Sequence, residues 1–595
     1  MRGPTSCLPL IFGLLFTRCA GEPLSLIDPG VTYPLPSELA FDLTLPRNPF
    51  LRFSITVLAP ASIGRGSVLF SARLQEGDES FTIFEEIVRA RGGSDRRSRS
   101  VNLAAWRGKK VQLTLEAAPA HPEAVGAWTE EIRIAWGETS VADRAPEEIE
   151  RRPSIVLILV DTLRRDYLGF HGFAGRISPN LDWLARESMV FENAFTQAPW
   201  TKPSIASLFT SLHPDTHGLD NHEGLFGKRE SEPLTTGVLP EEAVTLAEAL
   251  RRAGYRTAAL VANPWIHARY GFGQGFSLYE VVTTSEEILA RAQDWLGERE
   301  SEEPFFLYLH FMDVHGPYDS PEEDFEAMAS NASLDVREEP PRSKLEKLPR
   351  YLEGISWFEE QDLRSRSWGD LIAFRLSRSR TLRARYAANV MDFDRRIAPL
   401  LSQIRNSELD RGTTVVLTSD HGEELLEHGG WDHGFNLYEH QLRVPLWIRT
   451  PGARAVGRSE RPANLVDVMP TLLSLAGVAA PDDLEGEDLL SAPAGSSFTS
   501  IATATKHRAG VYSVRSDRFK LVFDSRSGSA SLFDLVADPG EYRDLASTSV
   551  DESRRLMDLL SRHIAKAREV RLVPESARIP EEMRRRLESL GYLPP

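Results

Sequence analysis

Two stretches carry apolar residues without alternation and then stop on a carboxylate. Ser154-Ile-Val-Leu-Ile-Leu-Val runs into Asp161, and Thr414-Val-Val-Leu-Thr-Ser runs into Asp420-His421. A strand with one solvated face alternates apolar and polar side chains. One covered on both faces reads as a continuous β-branched and leucine run, so both stretches predict interior strands of a parallel sheet. Leu246-Ala-Glu-Ala-Leu-Arg-Arg-Ala-Gly-Tyr255 predicts an amphipathic helix stopped at Gly254, with a strand from Thr257 to Val261 after it. Phe305 to Phe311 predicts another buried strand that ends near Asp313 and His315, and Tyr386 to Ile404 a helix leading into the strand at Thr414 to Leu417. This β–α alternation predicts an α/β fold, a mostly parallel sheet flanked by helices.

Both ends of the chain follow a different pattern. Leu51-Arg-Phe-Ser-Ile-Thr-Val-Leu, Ser67-Val-Leu-Phe-Ser-Ala-Arg-Leu, Lys110-Val-Gln-Leu-Thr-Leu-Glu and Glu131-Ile-Arg-Ile-Ala-Trp alternate with period two. Gly, Pro and Asp separate them, which predicts an N-terminal β-sandwich over residues 25–148. Asp143 to Arg152, charged and proline-containing, reads as the linker. From Val511 onward short alternating strands are followed by helices at Asp551 to Ala567 and Pro580 to Leu590. Between Pro321 and about Arg380 the pattern weakens into a long charged excursion, placed just after His315 and Tyr318 where it would border a pocket mouth.

At 595 residues the chain exceeds a single core, so two or three domains are expected. A net charge of −17 excludes nucleic acid as partner, because a phosphate backbone demands a basic surface. Met1-Arg2, the apolar Leu8 to Phe16 and Cys19-Ala20-Gly21 read as an export signal over residues 1–21. The apolar run is too short to span a bilayer. Cleavage after Gly21 releases a soluble protein in the periplasm or outside the cell. Lipidation of Cys19 anchors it to the envelope instead, although Arg18 departs from the small residue expected before such a cysteine. The two cysteines, Cys7 and Cys19, both lie in this segment, so the exported chain forms no internal disulfide.

In open α/β sheets ligands collect outside the carboxyl ends of the strands. Asp161, Asp420 and His421 fall there, and their oxygen and nitrogen atoms suit a divalent cation. A hydroxyl at Thr201 beside that cation would be an activated nucleophile.

Seven strings, in order, resemble the sulfatases of the alkaline phosphatase superfamily. They are Val160-Asp-Thr-Leu-Arg-Arg-Asp166, Ser178-Pro-Asn-Leu-Asp-Trp-Leu-Ala, Pro203-Ser-Ile-Ala-Ser-Leu-Phe-Thr, His310-Phe-Met-Asp-Val-His-Gly-Pro-Tyr318, Ser419-Asp-His-Gly-Glu, Leu437-Tyr-Glu-His-Gln-Leu-Arg-Val-Pro-Leu and Leu532-Phe-Asp-Leu-Val-Ala-Asp-Pro-Gly-Glu541. The resemblance implies an alkaline-phosphatase-like catalytic domain over 152–500 and a small antiparallel-sheet subdomain over 501–595. It implies Asp161, Asp420 and His421 as ligands to one divalent ion, Ca, Zn, Mn or Mg. Where the family often has a second acid, this chain has Thr162.

The resemblance puts Thr201 where sulfatases carry the Cys or Ser that becomes formylglycine, and Ile205 where their motif has Arg. Threonine is neither precursor, so the formylglycine route is not expected. Threonine in this place resembles phosphoethanolamine transferases and lipoteichoic acid synthases, in which a Thr takes the phosphoryl-bearing group. By the same carry-over His315 contacts the transferred group or protonates the leaving oxygen, His433 faces the substrate's oxygens, and Lys202 offsets charge on the bound group. His217, His428 and His440 receive no role. Val101 to Val111 resembles jelly-roll modules of the galactose-binding type.

The reading that follows is a metal-dependent, sulfatase-family hydrolase of sulfuric or phosphoric esters that acts through Thr201 on a small-molecule, glycan or lipid ester. Its alternatives are a phosphoryl-group transferase and a non-catalytic glycan-binding member.

Overall fold

Eight strands form the central sheet, in the order Leu278–Val281, Arg256–Val261, Phe305–Phe311, Ser154–Val160, Thr413–Thr418, Leu446–Arg449, Met189–Phe195 and Gly457–Asn464. All neighbours run parallel except Leu446–Arg449, which is antiparallel to both of its partners. The computed structural model describes residues 24–25, 32–45, 49–59, 66–77, 79–90, 93–103, 106–119, 133–143, 152–220, 234–297, 303–331, 334, 368–406, 409–428, 430–453, 455–491, 499–505 and 508–589. The export segment with Cys7 and Cys19, most of the 143–152 linker and the middle of the 321–380 excursion lie outside the described residues.

Every residue of Ser154–Val160, Phe305–Phe311 and Thr413–Thr418 is buried. Their period-two geometry divides them between two cores. Val156, Ile158 and Val160 pack with Leu307, Leu309 and Leu417 against Tyr386, Val390, Phe393 and Ile397 of the long helix Trp368–Asn406. Ile155, Leu157 and Leu159 pack on the other face against Ile205, Leu208 and Phe209 of helix Thr201–Thr210. Each such fully buried aliphatic side chain contributes about 1.5–3 kcal/mol. Register then aligns the strand ends: Leu159 lies between His310 and Thr418, and Val160 pairs with Phe311. Asp161, His310 and Asp420 therefore emerge at one edge.

The described residues between 24 and 143 form two antiparallel sheets. One holds Ser37–Thr44, Lys110–Pro119, Gly66–Glu76 and Glu79–Ala90; the other holds Leu24–Ser25, Tyr33–Pro34, Arg133–Asp143, Pro49–Ala59 and Gly93–Asn102. Phe53, Phe70, Phe84 and Trp136 pack together at their centre. These sheets dock on the helical face of the central domain: Trp106 stacks on Trp183 at 6.3 Å, and Arg405 lies 3.9 Å from the Trp183 ring while donating to the Thr82 carbonyl at 3.0 Å.

At the other end, Ser500–Thr505, Arg508–Arg515, Phe519–Asp524 and Ser529–Asp534 make a four-stranded antiparallel sheet. Leu556 and Leu560 of helix Val550–Val570 cover it. Buried Lys520 bridges Glu439 of the central domain at 3.1 Å and Glu541 at 2.9 Å. Among the described residues no helix is long and apolar enough to cross a membrane.

The excursion departs from its sequence reading at both ends. It leaves as helix Glu322–Ala329 and returns as the first turns of Trp368–Asn406. Arginine is a good helix former, but Arg and Ser in place of leucine erase the apolar period. Here their polar groups supply the docking, with Arg380 Nε donating to Ala329 O at 3.2 Å and Ser379 Oγ to Leu425 O at 3.3 Å.

Helix Pro179–Arg186 begins without a side-chain bond from its own cap residue, Ser178. Asp394 of the long helix supplies the acceptors, taking Leu181 N at 2.8 Å and Asn180 N at 3.2 Å. Asp394→Ala leaves buried first-turn donors unmatched and is expected to cost about 1–3 kcal/mol, read as a lower thermal midpoint. Burial pushes the Asp394 carboxyl up to about 7, against the pull of those bonds. The folded state thus holds this proton more tightly than the unfolded chain, and the associated stability is lost as pH rises through about 7. Wild type is therefore expected to lose stability relative to Asp394→Asn between pH 5 and pH 8 in paired melts.

Candidate active site and metal centre

Asp161 ends the central strand, and the chain turns at once through Thr162, whose φ of 59° is a strained conformation for a β-branched residue. Tyr386 holds this turn: its hydroxyl donates to Thr162 O and accepts from Arg164 N, both at 2.7 Å. Asp161 Oδ2 accepts from Asn263 Nδ2 at 2.7 Å and from His310 Nε2 at 3.0 Å, while His310 Nδ1 lies 2.8 Å from the Tyr308 hydroxyl. Asp161 Oδ1 is buried with no hydrogen-bond partner. Burial alone would raise this carboxyl's pKa. The His310 bond and the electrostatic pull of the surrounding imidazoles of His315, His421 and His310 outweigh it and hold the group ionised, well below the usual carboxylate range.

Asp420 stands opposite. Its Oδ1 accepts from His421 N at 3.0 Å and Thr162 N at 3.3 Å, leaving buried Oδ2 without a hydrogen bond and 3.3 Å from His421 Nε2. His421 Nδ1 sits 2.9 Å from Gly422 O, which places the ring proton there and leaves the Nε2 lone pair facing both carboxylates. Asp161, Asp420 and His421 are all fully buried, and their ligand atoms lie within 4.8 Å of one another. Among the described residues no lysine or arginine pairs with either carboxylate. Two buried, incompletely bonded carboxylate oxygens beside an imidazole nitrogen fit a divalent cation, and the mixed O/N set admits Zn, Mn, Mg or Ca.

Thr201 is the first residue of its helix. The cap position is Trp200, which makes no side-chain cap bond, so the Thr201 hydroxyl is not engaged in capping. Its Oγ1 lies 3.4 Å from Asp161 Oδ2, 3.5 Å from His421 Nε2 and 3.3 Å from Asn263 Nδ2. The helix is locked to the opposite strand end by Ser204 Oγ, which donates to Asp420 O at 2.7 Å. A buried helix start that presents backbone N–H groups also favours an anion in front of it.

His433 and His315 complete the cluster. The His433 ring lies 4.3 Å from that of His421 and 5.1 Å from that of His315. His433 Nδ1 is 2.8 Å from Asp432 Oδ1 and 3.2 Å from Glu423 Oε1. Burial lowers its pKa, but these two carboxylates outweigh burial and bring it up to about 10. His315 Nδ1 contacts Gly316 O at 2.6 Å, and burial is the main cause of its lowered pKa. Lys202 is turned elsewhere: Nζ donates to Thr236 Oγ1 at 2.6 Å and to Gly237 O, and it lies 4.7 Å from the Tyr270 ring centre. Burial drives its pKa well down. His217, His428 and His440 make local contacts, with Ser207, Tyr438 and Glu424 respectively.

Sequence reasoning thus singled out Asp161, Thr201, His315, Asp420, His421 and His433, which the fold gathers into one cluster. It missed Asn263, His310, Glu423 and Asp432. His310 was hidden inside a run read as buried strand. The signal for Asn263 was a polar residue two positions past the strand Arg256–Val261, at the edge where ligands collect.

The chain matches the family described as Sulfatase over residues 153–478, more than half its length. It also matches the family described as N-sulphoglucosamine sulphohydrolase, C-terminal, over residues 426–569. An arylsulfatase of Clostridium perfringens is 24% identical over 495 residues, covering 71% of this chain and 95% of that protein. A phosphonate monoester hydrolase from Silicibacter pomeroyi superposes with a TM-score of 0.56 at 20% identity, over 70% of this chain and 96% of that one. A protein solved with its substrate D-glucosamine-2-N,6-O-disulfate superposes with a TM-score of 0.55 at 20% identity, over 70% of this chain and 99% of that one. The strand-end carboxylates, the buried helix start between them and these matches lead to one conclusion: the chain belongs to the sulfatase family and is a sulfatase-like hydrolase.

Proposed function

We propose that the chain is a metal-dependent ester hydrolase in which Thr201 is the nucleophile, with phosphoric esters preferred over sulfuric ones. The observation that carries the reading is the position of Thr201 Oγ1, within 3.5 Å of both Asp161 and His421. Asp161, Asp420 and His421 would hold one divalent cation. When bound, that cation supplies the positive charge that lowers the hydroxyl pKa of Thr201 and offsets the negative ester oxygens.

The chain's own groups account for the remaining steps. Thr201 Oγ1 loses its proton to solvent, held in place by Asn263 Nδ2. It attacks phosphorus, the new O–P bond forming as the P–O bond to the leaving alcohol breaks. His433, its Nδ1 engaged by Asp432 and Glu423, directs Nε2 at the ester oxygens. His315, with Nδ1–H on Gly316 O, presents Nε2 to the departing oxygen; the bound anionic ester offsets the burial that lowers this ring's pKa, so the ring takes up a proton at Nε2, gives it to the departing oxygen and takes one back from the water that displaces Thr201. Threonine favours phosphorus because its carbinol carbon bears a methyl group. Oxidation there gives a ketone, so the aldehyde hydrate that expels sulfate by C–O cleavage has no counterpart. The structural neighbour that hydrolyses phosphonate monoesters supports a phosphorus ester, and the one solved with a disulfated glucosamine supports a glycan as its carrier. The resemblance of the Val101 to Val111 segment to galactose-binding modules would fit the same class of substrate.

Turnover of an aryl sulfate, a phosphate monoester and a phosphodiester by protein loaded with Zn, Mn, Mg or Ca tests the reading. Phosphoester cleavage is expected, and Thr201→Ala should reduce it on the order of 10⁴-fold or more. Sulfate ester turnover that survives Thr201→Ala overturns it. Independently of turnover, adding the cation to chelator-stripped protein should raise the thermal midpoint, since a ligand at 100 Kd stabilises by about 2.7 kcal/mol. Asp161→Asn and Asp420→Asn should each abolish that rise.

A further inference from the structure

Glu423 lies two residues beyond His421, is 2% exposed, and has a partner on each carboxylate oxygen. Oε1 is 3.2 Å from His433 Nδ1, and Oε2 accepts the Tyr318 hydroxyl at 3.2 Å. Its backbone carbonyl accepts from Arg164 Nη1 at 2.9 Å, so the strut is itself anchored to the turn after Asp161. Tyr318 ends the His315-Gly-Pro-Tyr segment and packs edge-on against Tyr386 at 5.8 Å; Tyr386 in turn holds the Thr162 carbonyl. One buried carboxylate therefore braces both histidines that flank the cluster, His433 directly and His315 through its loop.

We propose that Glu423 is a positioning residue that fixes the ring of His433, and the loop of His315, around the transferred oxyanion. The inference rests on the reading of Thr201, His315 and His433 as active-site groups. With Nδ1 held on the Glu423 side, the opposite ring nitrogen, Nε2, is the one presented between His421 and His315, at ring separations of 4.3 Å and 5.1 Å. Asp432 also reaches Nδ1, at 2.8 Å, but its side chain is 25% exposed against 2% for Glu423. Asp432 also has a φ of 76°, so it is the wetter and more strained of the two acceptors. A carboxylate is required because both partners are donors. Glutamine offers one acceptor oxygen and forces the Tyr318 hydroxyl to reverse its role. Partners that orient a binding group in this way typically account for 10–100-fold in affinity or activity.

The test uses the full chain loaded with its cation and reads orthovanadate binding by calorimetry, with metal content by atomic emission. Glu423→Gln should weaken orthovanadate about 10–100-fold while metal content stays at the wild-type value. His433→Asn should weaken it at least as much, and the double variant should bind no worse than His433→Asn alone. Tyr318→Phe, which keeps the carboxylate and removes one hydrogen bond, should give a smaller loss and guards against misfolding of the charge variant. Multiplicative losses in the double variant, a fall in metal content in Glu423→Gln, unchanged binding, or wild type that does not bind orthovanadate each overturn the proposal. Orthovanadate binds without turnover, so an enzyme inert towards all three esters sinks the Thr201 reading while this measurement still decides the role of Glu423.

Discussion

Two carboxylates, Asp161 and Asp420, are driven into a fully buried space from two neighbouring strands, and each keeps one oxygen without a hydrogen bond. Burying one such charge unpaired is costly, and burying two a few ångströms apart compounds Coulomb repulsion with desolvation. The surroundings answer only part of that demand: Asn263, His310 and the two backbone N–H groups of Thr162 and His421 engage the outer oxygens. The unmet remainder points inward, to one spot, where His421 Nε2 also points. The rest of the central domain serves to hold this frustrated arrangement in place.

That service is visible on both sides of the sheet. On one face the long helix supplies Tyr386, whose hydroxyl spans the strained turn at Thr162, and Asp394, which caps the neighbouring helix. On the other, helix Thr201–Thr210 is buried along its whole length and fastened to the Asp420 carbonyl through Ser204. Strain at Thr162 persists because packing over-determines it. The proposed nucleophile is thus delivered by a rigid helix start, and the histidines His315, His421 and His433 around it come from loops at the same sheet edge.

The family-like strings in the last third of the chain have a mechanical explanation. Glu439 and Glu541 come from two different strings a hundred residues apart, and both meet the buried ammonium of Lys520. Glu541, at φ 57°, also accepts the backbone N–H of Glu439 through its side chain at 2.6 Å. The C-terminal sheet is joined to the central domain by this buried charge cluster, so the matching residues there secure the interface between them. Around His428, Tyr438, His440 and Tyr542 the same interface is lined by rings packed on one another, which accounts for two histidines that chemistry leaves unused.

By itself the sequence determined what local periodicity and strand-end chemistry encode. The continuous apolar runs announced Ser154–Val160 and Thr413–Thr418 as interior strands, and the carboxylates that stop them announced the ligand-bearing edge. Threonine at 201 was equally plain, because it is a matter of identity and not of geometry. Only the tertiary structure decided the supporting partners. His310 lies in a strand, and Asn263 just past another, outside the two carboxylate-bearing runs, and both reach Asp161 only through parallel register; Glu423 meets Tyr318 and His433 only because two loops fold over one strand end. The same reason separates Lys202 from its expected role: a lysine beside Thr201 in sequence projects from a different side of a helix turn, and the pocket it finds is Thr236, Gly237 and Tyr270. Adjacency along a chain fixes which groups are available, and packing across it fixes which of them meet.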